Sequence, residues 1–213
     1  MINQTSSAAP SARGMAVPVD TERLAHTAAS LSDRGFNVSV ARTREEAARL
    51  ALDLVPEGSR VHTGSSVTLA ELGIADELER SDRYRAVRPQ MLRMDRATQK
   101  DEIRRMVGTP DVFLASAAAV TEDGRILIAS GSGSQVGPIA SGAGRVILVI
   151  GAQKVVADFD EAHRRLEEHV VPLESARAIA AYGRTAAVNQ TLVLHGGGRG
   201  RISVVLVPDA IGF

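Results

Sequence analysis

Two continuous apolar runs place the strongest constraint on the fold of this chain: DVFLAS at residues 111–116 and RVILVI at residues 145–150. Neither run has the spacing of an amphipathic helix, and such runs are typical of strands that are buried on both faces of a sheet. Between them lie a shorter apolar run at residues 126–129, a Gly/Ser loop at residues 131–134 and a candidate short helix at residues 135–141. This order of strand, loop, helix and strand predicts a crossover unit of a mostly parallel sheet.

The core must be aliphatic, because aromatic residues make up only 3% of the chain while hydrophobic residues make up 44%. Val, Ile, Leu and Ala suit a parallel sheet that lies between helices. A length of 213 residues suits one α/β domain. The segment at residues 1–18 is small and polar, as disordered tails are. We therefore predict a disordered N-terminal tail over residues 1–18 and a single α/β domain over residues 19–213.

Local signals place the remaining elements. An edge strand is predicted at residues 36–41 and a short strand at residues 60–63. Capping residues, Gly and Pro predict helices at residues 20–34, 43–55, 95–107, 158–169 and 172–182. Two β-rich runs, residues 192–195 and 202–207, are joined by the glycine-rich segment 196–200. This pattern predicts a C-terminal antiparallel hairpin.

Charge and composition exclude several classes of function. The formal net charge is zero, so nothing favours nucleic acid or an anionic membrane surface as a partner. The chain has no Cys, which excludes disulfides and cysteine-ligated iron–sulfur clusters within it and is compatible with the cytoplasmic location that we expect. No apolar run reaches membrane-spanning length. The histidines have no metal-ligand spacing, and His62, just before Gly64, is interpreted as a core or edge histidine.

Two Gly/Ser loops are the first candidate site. Residues 64–66 follow the strand at residues 60–63, and residues 131–135 follow the run at residues 126–129. Backbone N–H groups at a helix start favour an anion, and ligands of parallel sheets bind at the carboxyl ends of the strands. Either loop alone is explained as a tight turn with capping serines, whereas the pair favours a shared anion site. Neither matches a P-loop or a dinucleotide fingerprint. The predicted ligand-binding residues are Gly64, Ser65, Ser66, Thr68, Ser116, Gly131, Ser132, Gly133, Ser134, Gln135 and Lys154.

Two charged residues have alternative interpretations. Glu122 lies in the turn Thr121-Glu122-Asp123-Gly124, where a carboxylate can act as a nucleophile or general base, or can simply be a surface acid. Lys154 follows the run at residues 145–150, where it can pair with a phosphate or carboxylate ligand, or can be a solvated lysine. We take Glu122 as the candidate catalytic residue and Lys154 as a candidate ligand-binding residue.

Four segments together resemble the LUD (lactate-utilisation) domain family, which includes the LutC/YkgG-type proteins. They are GSSVTLAELG at residues 64–73, DVFLASAAAVTEDGRI at residues 111–126, GSGSQ at residues 131–135 and VILVIGAQKVVADFDEA at residues 146–162. The resemblance covers nearly the whole chain after the tail and ends with ISVVLVPDAIGF. It implies a three-layer α/β/α fold similar to the NagB/RpiA/CoA-transferase group.

The resemblance also implies a function. It indicates an accessory or regulatory component of L-lactate utilisation, in which lactate is oxidised to pyruvate beside iron–sulfur partner proteins. Because this chain has no Cys, it is expected to hold no cofactor itself, and any cluster belongs to a partner. The alternative is a free-standing enzyme, CoA-transferase-like or sugar-phosphate-isomerase-like, that binds a small anionic ligand.

The chain also departs from its relatives. Many similar proteins have Asn within the segment that matches residues 117–119, and Gly-Asn-Arg where this chain has Gly133-Ser134-Gln135. The turn at residues 121–124 is similar to the Ser-Glu-Asn-Gly motif that holds the catalytic Glu of CoA-transferases, which adds to the interest of Glu122.

Overall fold

The structure, a computed structural model, describes residues 14–198 and 200–213. Ten strands are described in these two ranges: β1 Asn37–Val40, β2 Arg60–Thr63, β3 Arg85–Ala86, β4 Val112–Ala115, β5 Ala119–Thr121, β6 Ile126–Ser130, β7 Arg145–Gly151, β8 Val155–Val156, β9 Gln190–Leu194 and β10 Ile202–Val207.

The described α-helices are α1 Thr21–Asp33, α2 Arg44–Asp53, α3 Val67–Glu71, α4 Ile74–Arg80, α5 Val87–Arg93, α6 Lys100–Gly108, α7 Phe159–Arg165 and α8 Val171–Tyr182. Short 3-10 turns occur at Gly14–Ala16 and Ala152–Lys154, and wide π turns at Pro138–Gly142 and Leu166–Val170. The last of these joins α7 to α8 without a break. No helix in these ranges is long and apolar enough to cross a membrane.

The main sheet confirms the predicted α/β class. Its six strands run parallel in the order β1-β10-β7-β4-β2-β3. Strands β4 and β7 are neighbours, with Phe113 opposite Val146 and Leu114 opposite Ile147. All residues of β4 are buried, and only Arg145 of β7 is exposed. The two apolar runs are therefore buried strands of one sheet, as predicted.

Alternate residues of these strands face two separate cores. One face, which includes Leu114 and Ile147, packs against helices α2, α3 and α4. The other face, which includes Phe113 and Val146, packs against α1 and a second sheet. That second sheet has the order β8-β5-β6-β9, and its outer face packs against α7. The sequence did not predict the second sheet.

The predicted C-terminal hairpin is wrong. Strand β10 pairs in parallel with β1 and β7 in the main sheet, whereas β9 pairs antiparallel with β6 in the second sheet. The physical reason is burial: β10 is apolar at nearly every position and needs cover on both faces, whereas β9 is exposed at its start and lies at a sheet edge. The connecting loop packs tightly on the end of α1, because a Cβ atom at Gly197 would lie 2.1 Å from the Gly35 carbonyl oxygen.

The crossover unit also needs correction. Strand β6 pairs antiparallel with β5 in the second sheet, so it is not a parallel neighbour of β7. The turn at residues 121–124 closes β5 and β6 into a hairpin, and this short connection enforces the antiparallel direction. The Gly/Ser loop at residues 131–135 therefore follows a strand of the second sheet rather than a strand of the main sheet.

Capping residues in the sequence located several helix starts correctly. The predicted caps Asp20, Thr43 and Asp158 each accept a hydrogen bond from the backbone N–H three residues later. For α3 either Ser66 or Thr68 is a candidate cap from the sequence, and in the structure Ser66 makes the corresponding bond. The helix predicted from residue 95 starts only at Lys100, because the Asp95 carboxylate binds the Ala97 N–H and the Thr98 hydroxyl in a separate turn.

The predicted disordered tail falls largely on residues 1–13, which lie outside the described residues. The boundary at residue 18 is not supported, because Gly14–Ala16 forms a 3-10 turn in which Met15 is buried.

Candidate functional site

A cavity of about 650 Å³ lies where the carboxyl ends of β2, β4 and β7 meet the end of β6 and one side of α8. All of the predicted ligand-binding residues except Gly133 line it. Its volume is within the range of small-molecule sites. The structure therefore brings the two Gly/Ser loops and Lys154 together, and anion binding by them stays a prediction.

Lys154 forms the most buried polar part of the cavity. Its side chain is almost fully buried, and Nζ donates hydrogen bonds to Thr68 Oγ1 and Ser116 Oγ, each at 3.0 Å. Neither partner is a carboxylate. Burial, reinforced by the positive charge of Arg165 and opposed by the negative charge of Glu71, lowers the pKa of Lys154 to about 7. The amine thus exchanges between its charged and neutral forms near neutral pH.

The hydroxyl of Thr68 is itself held in place. Its Oγ1 donates to the carbonyl oxygen of Ile211 at 3.3 Å, and the same carbonyl accepts from Gln153 Nε2 at 2.9 Å. The segment after β10 thus fixes one of the two partners of Lys154.

Arg165, which sequence reasoning missed, lies behind Lys154. It is completely buried, and it donates to the Gln153 carbonyl through Nε at 3.3 Å and to the Ala118 carbonyl through Nη1. Burial lowers its pKa to about 10. Nη2 of Arg165 has no hydrogen-bond partner within the described chain. Arg165 therefore places a second cation beneath the cavity and joins the turn after β7 to the start of β5.

The loop at residues 131–135 is shaped by its own side chains. Ser130 Oγ accepts from the Gly133 N–H at 3.0 Å, and Gln135 Nε2 donates to the Ala129 carbonyl at 3.0 Å. Gln135 Oε1 lies 3.3 Å from the position that a Cβ atom would take at Gly64, so the two loops adjoin as expected.

Gly133 does not line the cavity. Its φ of +76° lies in the left-handed region, and a Cβ atom there would lie 2.4 Å from Gln190 Oε1. Glycine is needed at this position because of the turn and the contact with β9, rather than because a ligand approaches the backbone closely.

The outer part of the cavity is basic. Arg96, Arg177 and Arg184 line it, and the one acidic side chain among its described lining residues, Glu174, pairs with Arg177 Nη2 at 2.6 Å. Arg177 also lies over the ring of Tyr182 and lowers the pKa of that phenol. Arg96 lies in a charged segment before α6, and Arg177 and Arg184 follow the π turn. No local pattern marks them as cavity residues, so only tertiary packing reveals them.

His62 lies in the core rather than in the cavity. It is buried on β2 with its ring centroid 5.6 Å from that of Phe113, and Nδ1 has no partner among the described residues. Burial and the charge of Arg88 lower its pKa to about 4. Of the two interpretations, core or edge, the structure favours the core.

Glu122 is placed away from both loops. It lies in the turn between β5 and β6, does not line the cavity, and accepts a hydrogen bond from Arg23 Nε of α1 at 2.7 Å. A catalytic role at the cavity would require Glu122 to face it, so we do not include this residue in the candidate site. In the two described ranges, no group of three or more His, Asp or Glu side chains could hold a metal ion.

These features define an α/β domain with a basic cavity at the carboxyl ends of its parallel strands. The family model of the LUD domain matches residues 24–207, and the chain therefore belongs to the LUD-domain family.

A structural likeness supports the fold. The crystal structure of a DUF162 family protein from Deinococcus radiodurans is similar, with a TM-score of 0.53 and 15% sequence identity, and the match covers 89% of this chain and 99% of that chain. At this identity the likeness shows the fold alone. No curated protein matches the sequence.

Proposed function

We propose that this LUD-domain protein binds a small organic acid anion in the cavity, as a cytoplasmic accessory or regulatory component of L-lactate utilisation. Any redox centre would lie in iron–sulfur partner proteins, because the chain has no Cys with which to ligate a cluster. Membership of the LUD family supports the link to lactate.

One observation carries the proposal: Lys154 is buried at the cavity with two neutral hydroxyls as partners. A buried ammonium without a counter-ion is costly, and a carboxylate ligand would supply that counter-ion. The hydroxyl of Ser116 can turn its O–H group toward the same carboxylate, since hydroxyl hydrogens rotate freely, whereas Thr68 donates its O–H to the Ile211 carbonyl. The site therefore complements a carboxylate better than a neutral ligand.

The first test is ligand-induced stabilisation. L-lactate and pyruvate should raise the melting temperature, and an acid at 100 times its dissociation constant should stabilise the protein by about 2.7 kcal/mol. Lys154→Met keeps a long apolar side chain but removes the charge, so this variant should lose the ligand-induced shift. Lys100→Met is the matched control, because Lys100 is exposed on α6 and does not line the cavity. An equal shift in Lys154→Met and in the wild type would contradict the proposal.

A second candidate function is a free-standing enzyme acting on a larger anion, such as a CoA ester or a sugar phosphate. The observation that favours it is the combination of a volume of about 650 Å³ with three arginines in the outer part of the cavity. Guanidinium groups bind phosphate well. Including CoA esters and sugar phosphates in the same melting experiment separates the two functions, because only the enzyme hypothesis expects them to outperform lactate and pyruvate.

A further inference from the structure

We propose that the amine of Lys154 is a nucleophile that forms an imine with the carbonyl carbon of a 2-oxo acid bound in the cavity. This inference rests on the proposed function, because it requires an organic acid as the ligand. It goes further in giving the cavity a covalent chemistry that the family assignment does not contain.

The use of lysine in this chain is the first observation. Of its 25 basic residues only two are lysines, Lys100 and Lys154, and the others are arginines. Lys100 is exposed, whereas Lys154 is almost fully buried at the cavity. An arginine supplies a permanent charge but cannot become neutral in a protein, whereas a buried lysine can. A position that needs a neutral amine must therefore be a lysine.

The geometry around Nζ is the second observation. The hydroxyl oxygens of Thr68 and Ser116 accept two hydrogen bonds from Nζ, both at 3.0 Å. A neutral amine has two N–H bonds and one lone pair. When the two N–H groups donate to these hydroxyls, the lone pair occupies the third position, and it remains available to a carbonyl carbon in the cavity that Lys154 lines.

The surrounding charges favour the reactive form. Arg165 is a buried cation near Lys154 and disfavours a second positive charge, while Glu71 acts in the opposite sense. The resulting pKa of about 7 leaves a large fraction of the amine neutral at physiological pH.

The reaction is balanced without an oxidant or a reductant. The nitrogen lone pair forms a C–N bond, and the carbonyl π electrons move to oxygen, which takes up a proton. The nitrogen then loses a proton, which gives a carbinolamine. Its hydroxyl takes up a second proton and leaves as water as the nitrogen lone pair forms the C=N bond, and the nitrogen gives up its remaining proton. The net change is one amine and one carbonyl giving one imine and one water. The hydroxyl of Ser116 touches Nζ and is placed to relay these protons.

Reductive trapping tests the proposal. The full chain is incubated with pyruvate and cyanoborohydride, and adducts are located by intact mass and peptide mapping. We expect one adduct per chain, at Lys154, with a rate that rises between about pH 6 and 8 as the amine becomes neutral. L-lactate has no ketone, so it should form no adduct but should slow the trapping of pyruvate.

Two substitutions serve as controls, and the outcomes separate this inference from the proposed function. Lys154→Arg keeps the charge and should abolish the adduct, whereas Lys100→Arg should leave it unchanged. If pyruvate stabilises the wild type but adducts occur only at Lys100 or the amino terminus, the imine is overturned and acid binding stands. If pyruvate neither stabilises nor reacts, both fail. Mapping is done on the unsubstituted chain, so the test does not depend on how Lys154→Arg folds.

Discussion

At the scale of single residues, buried bases make the stability of this protein depend on pH. The pKa of His62 is lowered from 6.5 to about 4 in the folded protein. Between these values the unfolded chain binds more protons than the folded one, so the free energy of unfolding falls as the pH drops through this window. The expected slope from this one group is about 1.4 kcal/mol per pH unit.

Urea unfolding of the wild type and of His62→Leu at pH 7 and pH 5 measures this effect. Leu fills a similar space and does not titrate, so the wild type should lose more stability on acidification than the variant. The constant cost of the substitution cancels in this comparison. Parallel pH dependence of the two proteins would show that His62 is protonated in the folded state.

Lys154 and Arg177 show what sequence reasoning could reach at this scale. Lys154 follows a strand that is recognisable from its apolar run, and strand ends in parallel sheets are where ligands bind, so its place in the cavity could be predicted. Arg177 lies on α8, and its approach to the cavity depends on how that helix packs, which no local pattern records. The partners of Lys154 also come from distant segments, as the 3.0 Å contact with Thr68 illustrates.

At the scale of elements, the segment after β10 supports the cavity. Gly212 has a φ of +60°, and a Cβ atom there would lie 2.3 Å from Thr68 Oγ1. We expect Gly212→Ala to displace the Thr68 hydroxyl from Lys154 and to weaken acid binding by about tenfold, which corresponds to about 1.4 kcal/mol. Isothermal titration with pyruvate measures this change.

Gly58→Ala is the matched control for this substitution. Gly58 has a similar φ of +72°, but nothing lies within 4 Å of its Cβ position. Both variants carry the backbone strain of a left-handed alanine, of order 1 kcal/mol in stability. Only Gly212→Ala should also lose affinity, and equal binding by the two variants would show that this segment does not shape the cavity.

The elements themselves were predictable where the signal is local. Helix caps such as Asp20, and the buried strands β4 and β7, can be recognised from a few adjacent residues of the sequence. Pairing between strands is not local: β9 and β10 follow one another like a hairpin, yet each pairs with the sheet that can cover its apolar faces. The second sheet was missed for this reason.

At the scale of the whole molecule, the two sheets should differ in their protection against hydrogen exchange. Strands β4, β7 and β10 lie inside the main sheet and are buried on both faces, so their amides should exchange only through global unfolding. Strand β9 lies at an edge of the second sheet with an exposed start and should exchange faster. Mass-spectrometric exchange of peptides checks this order, and slower exchange in β9 than in β7 would contradict it.

The wide turn at Leu166–Val170 has a consequence for the angular phase of the helix that contains it. Each α-helical residue advances by about 100°, so Arg165 and Arg177, twelve positions apart, would point about 120° away from each other on an uninterrupted helix. A π turn absorbs one additional residue, which reduces this divergence to about 20°. On the continuous helix formed by α7, the π turn and α8, the guanidinium groups of Arg165 and Arg177 therefore point in nearly the same direction. The turn thus sets the angular relation between α7 and α8. Deletion of one of residues 167–169, which do not line the cavity, would convert the turn to regular α-helix, and it should therefore leave the direction of Arg177 relative to Arg165 nearly unchanged.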